Sequence, residues 1–505
     1  MKSTRLRDAV SGAVSAGLAL GVSELLAGLI AAVPSLVESL GNWVIDNVPP
    51  PVKEWAISVF GTNDKLMLLI GITVVTLLIG ALVGVFARAH FVVAVVVFVA
   101  FGLVAAFAAS LDPQVSIALA AIPGGAAVLA GLATLRMLYR LSEPPSGAET
   151  DGSKRDFLIG VGAVVAVAAI AGTVGRALVE TAKRAVAGRE EVVLPSPAQA
   201  LPPVPASADF AIEGVEPILV PNTDFYRIDT ALSIPRIDLQ EWSLSVTGMV
   251  DRPYTIDFSD LLDMRMVERD ITLSCVSNQV GGGLVGNARW LGVPLTELLD
   301  RAGVQPGAEQ LVGRSVDDFT VGFPVSAAYD GRESLVAVGM NGEPLPFEHG
   351  FPARLVVAGL YGYVSATKWL SQIELTTWDG FDAYWVPRGW SKEAPIKTQS
   401  RIDTPGHSSQ IAAGSHVVAG VAWAPTRGIS KVEVQLGEDQ PWVEAELSEP
   451  LSENAWVQWR VEWEANEAGR HILRCRATDG EGELQTEEIR PPAPDGATGW
   501  HTRPV

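Results

Sequence analysis

Five long apolar stretches occupy about the first third of the chain. They lie near residues 13–33, 66–86, 90–109, 115–135 and 157–177. Each is about as long as the roughly 20 residues that an α-helix needs to cross the hydrocarbon core of a bilayer. We therefore predict an all-α membrane region over residues 1–180, with five transmembrane helices.

The composition of the whole chain agrees with a membrane region joined to an acidic soluble region. The chain has 505 residues, a mean hydropathy of +0.26 and a formal net charge of −20. This length exceeds that of one compact domain, and a soluble globule rarely combines positive hydropathy with so large a charge. The acidity also argues against nucleic acid as a partner, because no basic stripe offsets it.

The lysines and arginines of the loops predict the orientation of the helices, since cytoplasmic loops carry an excess of them. One set of loops holds Lys2, Arg5, Arg7, Arg88, Arg136, Arg140, Lys154 and Arg155, whereas the opposite set holds Lys53 and Lys65. We expect a protein of the cell (plasma) membrane with a cytoplasmic N-terminus and, after five crossings, a soluble region on the extracytoplasmic side. The basic cluster Arg176, Lys183, Arg184 and Arg189 opposes this orientation, but it precedes a long domain, where the rule counts for less.

Residues 153–160, SKRDFLIG, leave the export route open. They resemble a twin-arginine export signal with Lys in place of the first Arg, and that pathway carries folded proteins. An ordinary cluster of cytoplasmic positive charge explains the same residues equally well.

The soluble part divides into two regions after a linker. Residues 181–208 are rich in Pro and Ala and are expected to be extended and semi-rigid. Residues 209–390 mix strand-like runs such as WSLSVTG with helical pieces such as LTELLDRAG, which predicts an α+β domain. Residues 398–505 alternate apolar and polar residues between regularly spaced turns, which is typical of a β-sandwich.

Cys275 lies at the start of a glycine-rich loop, and the only other cysteine is Cys475, expected in the core of the sandwich. Three interpretations of Cys275 stay open: a packed inert thiol, a nucleophile activated by a nearby His or helix N-terminus, or one thiolate ligand of a soft metal held mainly by a cofactor. Glycines suit the third, because backbone N–H groups can then approach a bulky anionic cofactor. A protein-only zinc site needs three or four Cys or His ligands. Cys275 and His349 are the only cysteine and histidine in residues 209–390, so such a site is not expected there.

Several motifs, in order along residues 210–500, resemble those of the sulfite oxidase family of molybdopterin enzymes. They are FYRID (225–229), LSCVSN (273–278), ARWLGVPLTELL (288–299), MNGEPLPFEHGFPARLVVAGLYGYVSATKWL (340–370) and, near the C-terminus, GVAWA, VEVQLG, RATDGEGELQ and GATGWH. The resemblance covers both soluble regions. It implies an α+β sulfite-oxidase-type molybdopterin-binding domain, followed by an immunoglobulin-like dimerisation domain and hence a possible homodimer.

The resemblance also implies one molybdenum–molybdopterin cofactor per chain, with Cys275 as the protein ligand of the metal. Cys275 and Arg227 are the candidate catalytic residues. The pterin phosphate needs cations and N–H donors, which His349, Arg354 and Lys368 would supply. The candidate cofactor contacts are Phe225, Tyr226, Arg227, Ser274, Asn278, His349, Arg354, Ala366, Thr367 and Lys368, together with Asp317 or Asp318, of which Asp318 is the candidate.

Two positions depart from the pattern of true sulfite oxidases. Val280 stands where the family carries an arginine for the oxyanion, and Phe319 stands where it carries an active-site tyrosine. Charge-assisted contacts of this kind are worth ~1.5–3 kcal/mol each. We therefore expect weaker binding of sulfite, and the resemblance extends to the cofactor and the reaction class but not to the substrate.

The expected function is a membrane-anchored, extracytoplasmic molybdenum oxidoreductase that performs two-electron oxo transfer on a small S- or N-oxide or oxyanion, with an unidentified electron-transfer partner. The alternative is a catalytically silent scaffold subunit of a membrane complex. We expect no haem, because His90 is the only histidine before His349 and a haem between helices commonly needs two axial ligands.

Overall fold

The computed structural model describes residues 2–30, 33–60, 63–112, 115–143, 150–232, 234–235 and 237–505. The chain forms two compact units, one of residues 1–187 with 230–237 and one of residues 188–229 with 238–505. The first, the helical unit, contains the apolar helices, and the second, the catalytic unit, contains the sheets. No sequence pattern had indicated that residues 230–237 belong to the helical unit.

The helices of the helical unit are α1 (Lys2–Leu29), α2 (Leu36–Asn47), α3 (Pro50–Phe60), α4 (Asp64–Ala87), α5 (Val92–Ser110), α6 (Ile117–Ser142) and α7 (Thr150–Ala187). Within the described residues, α1, α4, α5, α6 and α7 are long and apolar enough to cross a membrane. The prediction of five long apolar helices is thus confirmed, and it indicates association with a membrane.

The first and last of these helices differ in extent from the predicted spans. Helix α1 begins near the N-terminus and ends at Leu29, whereas the predicted span was 13–33; residues 31 and 32 of that span lie outside the described part. In its early turns the Ser11 and Ser15 hydroxyls donate to carbonyls one turn back, at 2.8 and 2.7 Å, so these polar groups are satisfied inside the helix. Helix α7 continues to Ala187, into the predicted linker.

Helix α1 packs against α4, α6 and α7. At Gly12 a side chain would come within 2.0 Å of the Gly80 carbonyl oxygen of α4, and at Gly28 within 2.5 Å of the Gly175 carbonyl oxygen of α7. Such close approach of two backbones requires residues without a Cβ. The glycines therefore let α1 occupy the centre of the helical unit.

The buried acids of the helical unit lie at the two ends of α1. At one end Asp8 lies 3.9 Å from Arg88, which also contacts the Tyr139 carbonyl oxygen of α6. At the other end Ser35 donates to Glu24 at 2.8 Å, and Arg176 of α7 pairs with Glu38. The start of α1 thus meets the ends of α4 and α6, so that consecutive long helices alternate in direction.

The α+β part of the catalytic unit contains β1 (Ser243–Gly248), β2 (Tyr254–Asp257), α8 (Phe258–Leu262), β3 (Val267–Ser274), β4 (Val285–Pro294), α9 (Leu295–Ala302), β5 (Gln310–Ser315), β6 (Thr320–Pro324), β7 (Ser334–Met340), β8 (Glu343–Pro344), β9 (Arg354–Val357), α10 (Gly362–Ser365) and β10 (Leu370–Thr376). One sheet has the order β2-β1-β10-β5-β6, and the other has the order β3-β4-β7-β8 with β9 paired to β7. The predicted helix LTELLDRAG is α9, which ends at Gly303 with a left-handed φ of +70°.

The remaining strands are β11 (Gln399–Thr404), β12 (Gly414–Trp423), β13 (Ile429–Gln435), β14 (Trp442–Glu444), β15 (Glu446–Leu447), β16 (Val457–Ala465), β17 (Ile472–Asp479) and β18 (His501–Pro504). They form two antiparallel sheets, β11-β12-β16-β15 and β14-β13-β17-β18. Val418, Trp459 and Cys475 are among the residues of the core between them. The predicted two-sheet sandwich is therefore confirmed, with Cys475 in its core.

Candidate functional site

Three segments of the catalytic unit bring most of the predicted site residues together. They are the segment 222–229, the loop 275–284 that follows β3, and the segment 345–370 around β9 and α10. We call residues 275–284 the cysteine loop. Side-chain contacts and electrostatic interactions connect all three segments.

Local hydrogen bonds close the cysteine loop on itself. The Cys275 N–H donates to the Leu284 carbonyl at 2.9 Å, and the Leu284 N–H donates to the Asn278 side-chain oxygen at 2.9 Å. The Asn278 N–H donates in turn to the Cys275 carbonyl at 3.0 Å. The predicted residue Asn278 therefore shapes the loop that carries the cysteine.

The Cys275 thiol is buried, with 7% of the residue exposed. Burial raises the pKa of Cys275, whereas hydrogen bonds from Ser277 and the positive charge of Lys368 act in the opposite direction. A thiol in this environment stays protonated at neutral pH unless a metal displaces the proton. Among the described residues, no group of three or more His, Cys, Asp or Glu side chains could hold a metal ion, so a metal at Cys275 needs ligands from elsewhere.

Arg354 is a buried cation. It is 4% exposed, donates from Nη1 to the His349 carbonyl at 3.0 Å and lies over the Trp290 ring at 5.1 Å. In the described part of the chain, no carboxylate lies within ion-pair distance of it. Burial lowers the pKa of Arg354 to about 10, which corresponds to on the order of 3 kcal/mol that a bound anion would offset.

Lys368 is a second buried cation, and it has an acidic partner. Its Nζ donates to Asp229 at 3.1 Å and to the Glu348 carbonyl at 2.9 Å. Burial lowers the pKa of Lys368 to about 8 although Asp229 acts to raise it. The ammonium group is therefore charged at neutral pH and adds a positive charge to the site.

His349 is a neutral ring at neutral pH. Its Nε2 lies 3.0 Å from the Asn222 carbonyl oxygen, which fixes the proton on Nε2. Burial, together with the charges of Lys368 and Arg354, lowers the pKa of His349 to about 3. In this state His349 offers a hydrogen-bond acceptor at Nδ1. The ring becomes a cation that donates from both nitrogens only when a bound anion raises the pKa of His349 again.

The FYRID segment supplies an aromatic wall and a carboxylate. Phe225 is stacked on Tyr226 at 5.2 Å and meets Trp290 edge-on at 5.9 Å. Burial raises the pKa of Tyr226, and Cys275 adds to the shift while Arg354 opposes it. The Tyr226 hydroxyl therefore interacts with both the thiol and the guanidinium and stays protonated at neutral pH.

Arg227 is partly exposed and is held beside the same carboxylate as Lys368. Its side chain is 38% exposed and donates from Nε to Asp229 at 2.8 Å, whereas the Asp229 side chain is 6% exposed. Asp229 thus orients two cations. Asp229 ends the FYRID motif, and its proximity to Lys368 depends on tertiary contacts that no linear pattern shows.

The remaining predicted residues, Ser274, Ala366 and Thr367, make no side-chain contact with Cys275, Arg354 or Lys368 that the structure describes. Ser274 ends β3, where its hydroxyl lies 3.5 Å from the Cys275 carbonyl, and Ala366 caps α10. The Thr367 hydroxyl faces Gly313 of β5, where a Cβ would come within 2.6 Å of it. This hydroxyl is buried and has no hydrogen-bond partner among the described residues.

The acidic pair favours Asp317 over the candidate Asp318. Asp318 is exposed and has a left-handed φ of +64°, which turns its side chain to solvent. Burial raises the pKa of Asp317, and Asp229 is among the charges that raise it further. Asp317 is therefore the acid that interacts with Asp229, the carboxylate that Lys368 contacts.

Tyr361 is a residue that the sequence did not indicate. It is 3% exposed, and burial raises its pKa to about 12, with smaller contributions from Asp495 and Cys275. Within the long motif 340–370, Tyr361 is one of several aromatic and apolar residues. Only its interaction with Cys275 in the structure connects it to the site.

The arrangement fits an anionic cofactor bound through one thiolate. A buried thiol interacts with the buried cation Lys368, and a second buried cation, Arg354, shares the neighbour Tyr226 with that thiol and has no carboxylate partner among the described residues. Cations in such an environment favour a bound anion such as a phosphate. The single thiolate matches a metal whose other soft ligands come with the cofactor.

Comparisons with known proteins agree with this site. Residues 231–385 match the family model described as the oxidoreductase molybdopterin binding domain. This match contains Cys275, His349, Arg354 and Lys368. The match supports the resemblance of the soluble part to the sulfite oxidase family of molybdopterin-dependent oxidoreductases.

Relatives of this family align over about half of the chain. Mitochondrial sulfite oxidase of Rattus norvegicus is 26% identical over 326 residues, which covers 55% of this chain and 59% of the relative. Nitrate reductase [NAD(P)H] of Hordeum vulgare is 27% identical over 319 residues, covering 51% of this chain and 36% of the relative. The chain thus spans less than two thirds of the length of these relatives.

A solved structure shows the same fold. The sulfane dehydrogenase SoxCD of Paracoccus pantotrophus superposes with a TM-score of 0.51 and 23% identity, covering 63% of this chain and 89% of that chain. At this identity the likeness concerns the fold alone. The superposed region is long enough to include both the α+β part and the β-sandwich of this chain.

Proposed function

We propose that this protein is a membrane-anchored molybdopterin-dependent oxidoreductase, with its catalytic unit on the extracytoplasmic side, that performs two-electron oxo transfer on a small S- or N-oxide or oxyanion. The observation that carries the proposal is one cluster that contains the buried Cys275 thiol, the buried Lys368, whose charge acts on that thiol, and the buried Arg354. The relatives support the cofactor and the reaction class, because sulfite oxidases and nitrate reductases are among them.

When bound, the molybdenum–pterin group would supply the two-electron oxygen-atom chemistry. Cys275 would hold the metal as a thiolate, after losing a proton that burial otherwise retains. Arg354 and Lys368 would hold the anionic end of the pterin, and Asp229 keeps Lys368 in position. Tyr226 remains a hydrogen-bond donor at neutral pH because burial raises its pKa.

The cofactor is tested by measuring molybdenum and released pterin per chain. The protein is purified in detergent from a molybdate-fed host, together with Cys275→Ala and with Cys475→Ala as the matched control. We expect near one metal and one pterin per chain in wild type and Cys475→Ala, and loss of the metal in Cys275→Ala. Neither group in the wild type would overturn the proposal and leave the silent scaffold subunit in its place.

The substrate class is tested at Val280. This residue and Phe319 lack the cation and hydroxyl that the resemblance assigns to sulfite oxidases, and Phe319 packs on Tyr384 at 5.4 Å instead. Turnover of sulfite is compared with that of sulfoxides and N-oxides. Val280→Arg should lower the KM for sulfite about tenfold, since one charge-assisted contact is worth ~1.5 kcal/mol or more, and Val280→Leu should leave it unchanged.

The orientation is supported by the ends of the helices. Asp8, Arg88 and Tyr139, which flank loops assigned to the cytoplasm, lie together. The test uses new cysteines at two exposed positions, Val193→Cys in the linker and Ala89→Cys in the loop after α4. An impermeant maleimide should label Val193→Cys in intact cells and Ala89→Cys only after the membrane is opened. The reverse pattern would place the catalytic unit in the cytoplasm.

A further inference from the structure

The β-sandwich contacts the cysteine loop directly, within the catalytic unit. Gly281 of the loop has a left-handed φ of +76°, and a Cβ there would come within 2.2 Å of Cδ2 of His501. Val280 lies against Gly499, where a Cβ would be 3.7 Å from the valine Cγ2. The outer side of the loop is thus fitted against β18 and the residues that precede it.

Arg401 of β11 makes the polar contact between the sandwich and this loop. Its Nη1 donates to the Gly282 carbonyl at 3.0 Å. The residue is 5% exposed, and its Nε and Nη2 donate to Asp403 at 2.5 and 3.3 Å. A further carboxylate, Glu216, lies 3.7 Å away. Two carboxylates therefore balance the charge of Arg401, and the same side chain still has a nitrogen available to bind the Gly282 carbonyl.

We propose that Arg401 is a positioning residue for the cysteine loop: through the Gly282 carbonyl it fixes the part of the loop that carries the hydrogen-bond acceptor for Cys275. Gly282 lies two residues before Leu284, whose carbonyl accepts the Cys275 N–H. The Gly282 N–H also donates to the Gln279 carbonyl at 2.8 Å. A shift of Gly282 therefore moves both closing bonds of the loop.

The planar guanidinium suits this task better than an ammonium group. Its fork holds Asp403 through two nitrogens while the third points at Gly282, so a single side chain fixes the relative position of β11 and the loop. A lysine would keep the charge but lose this geometry. That the position of the loop matters for metal binding rests on the proposed function. The hydrogen bond by which Arg401 holds Gly282 does not depend on that function.

Hydrogen exchange of the full chain in detergent tests the link. We compare wild type, Arg401→Ala, Arg401→Lys and the control Arg460→Ala; Arg460 belongs to the same sandwich, but its ion pair with Glu446 is exposed. In Arg401→Ala the amides of Cys275 and Leu284 should exchange at least about tenfold faster, as expected for loss of a hydrogen bond to a charged group. Arg401→Lys should be intermediate and Arg460→Ala should match wild type.

A second readout separates positioning from folding. Strands β12 and β16 should keep wild-type protection in Arg401→Ala, and Cys475, buried in the sandwich, should stay unreactive to alkylation. If protection is lost throughout the sandwich, or the loop exchanges as in wild type, the inference is overturned. If wild type holds no molybdenum, the proposed function fails but the exchange data still decide this inference. In a metal-loaded protein, we expect Arg401→Ala to lower kcat more than it raises KM.

Discussion

In the helical unit, each buried carboxylate lies beside a partner that the structure describes: Asp8 beside Arg88, Glu24 beside Ser35, and Glu38 beside Arg176. In the catalytic unit, Arg354 is buried with no carboxylate near it among the described residues. A buried pair maintains a packed structure, and breaking it leaves an uncompensated charge. A buried cation without a partner is costly in isolation and is found where a ligand supplies the opposite charge.

The largest effect should follow replacement of Arg354 by methionine. Arg354→Met removes a charge-assisted donor to the anion, so molybdenum and pterin retention should fall by about a hundredfold. The free energy of unfolding of the cofactor-free chain should instead rise by about 1–2 kcal/mol, because a buried cation without a counter-ion disappears. Metal analysis and chemical denaturation measure the two effects. A destabilised chain that keeps its cofactor would show that Arg354 is structural.

The opposite result is expected for Arg176 of the helical unit. Arg176→Met removes the cation that pairs with the buried Glu38, which should lower the free energy of unfolding by about 2 kcal/mol, a value discounted because the Arg176 side chain is 37% exposed. The molybdenum content should not change. The double variant Arg176→Met/Glu38→Gln should recover most of the loss. If Arg176→Met instead loses its molybdenum, the distinction between structural charges in the helical unit and cofactor-binding charges in the catalytic unit is wrong.

Raising the pH should weaken cofactor retention through Lys368. The pKa of this lysine is lowered to about 8, so its positive charge is present below pH 8 and is lost as the pH rises through that value. An anion that needs this charge should then bind up to about tenfold more weakly for each pH unit above 8. Pterin fluorescence after gel filtration at pH 7, 8 and 9 measures the loss. Lys368→Arg should abolish the dependence over this range, and an equal decline in both proteins would exclude Lys368 as its source.

The smallest effect should come from a neutral contact within the site. Asn278→Ala removes the acceptor for the Leu284 N–H and should lower the free energy of unfolding by about 1 kcal/mol. Chemical denaturation measures this change, and Asn278→Asp, which keeps an acceptor oxygen, is the matched control. A loss above that of Arg176→Met would mean that the loop, rather than the charge pairs, limits stability.

The sequence predicts what depends on composition and linear motifs. Apolar runs long enough for a bilayer indicate the five long helices, and an ordered set of motifs indicates Cys275, Arg354 and Lys368. The early start of α1 was missed because polar residues such as Ser11 lower the hydropathy of a segment that still forms backbone hydrogen bonds.

Other parts of the site depend on contacts between distant segments. Asp229 lies beside Lys368 because two segments far apart in the chain meet, and no spacing rule expresses that. Asp317 and Asp318 are neighbours of the same type, so only the left-handed backbone at Asp318 shows which one turns inward. Arg401 had no motif at all, since its partner is a backbone carbonyl in another domain.

The packing of α1 also sets an order of events during synthesis. Helix α1 leaves the ribosome first, yet its Gly28 fits against Gly175 of α7, the last helix of its unit. More than 100 residues separate Leu29 from Thr150, so at 5–20 residues per second α1 waits on the order of 6–25 s for this neighbour. During that interval Gly28 has no partner for the close backbone contact that Gly175 later provides. A nascent chain that stalls before α7 therefore leaves this glycine face of α1 uncovered, which makes it a substrate for quality control.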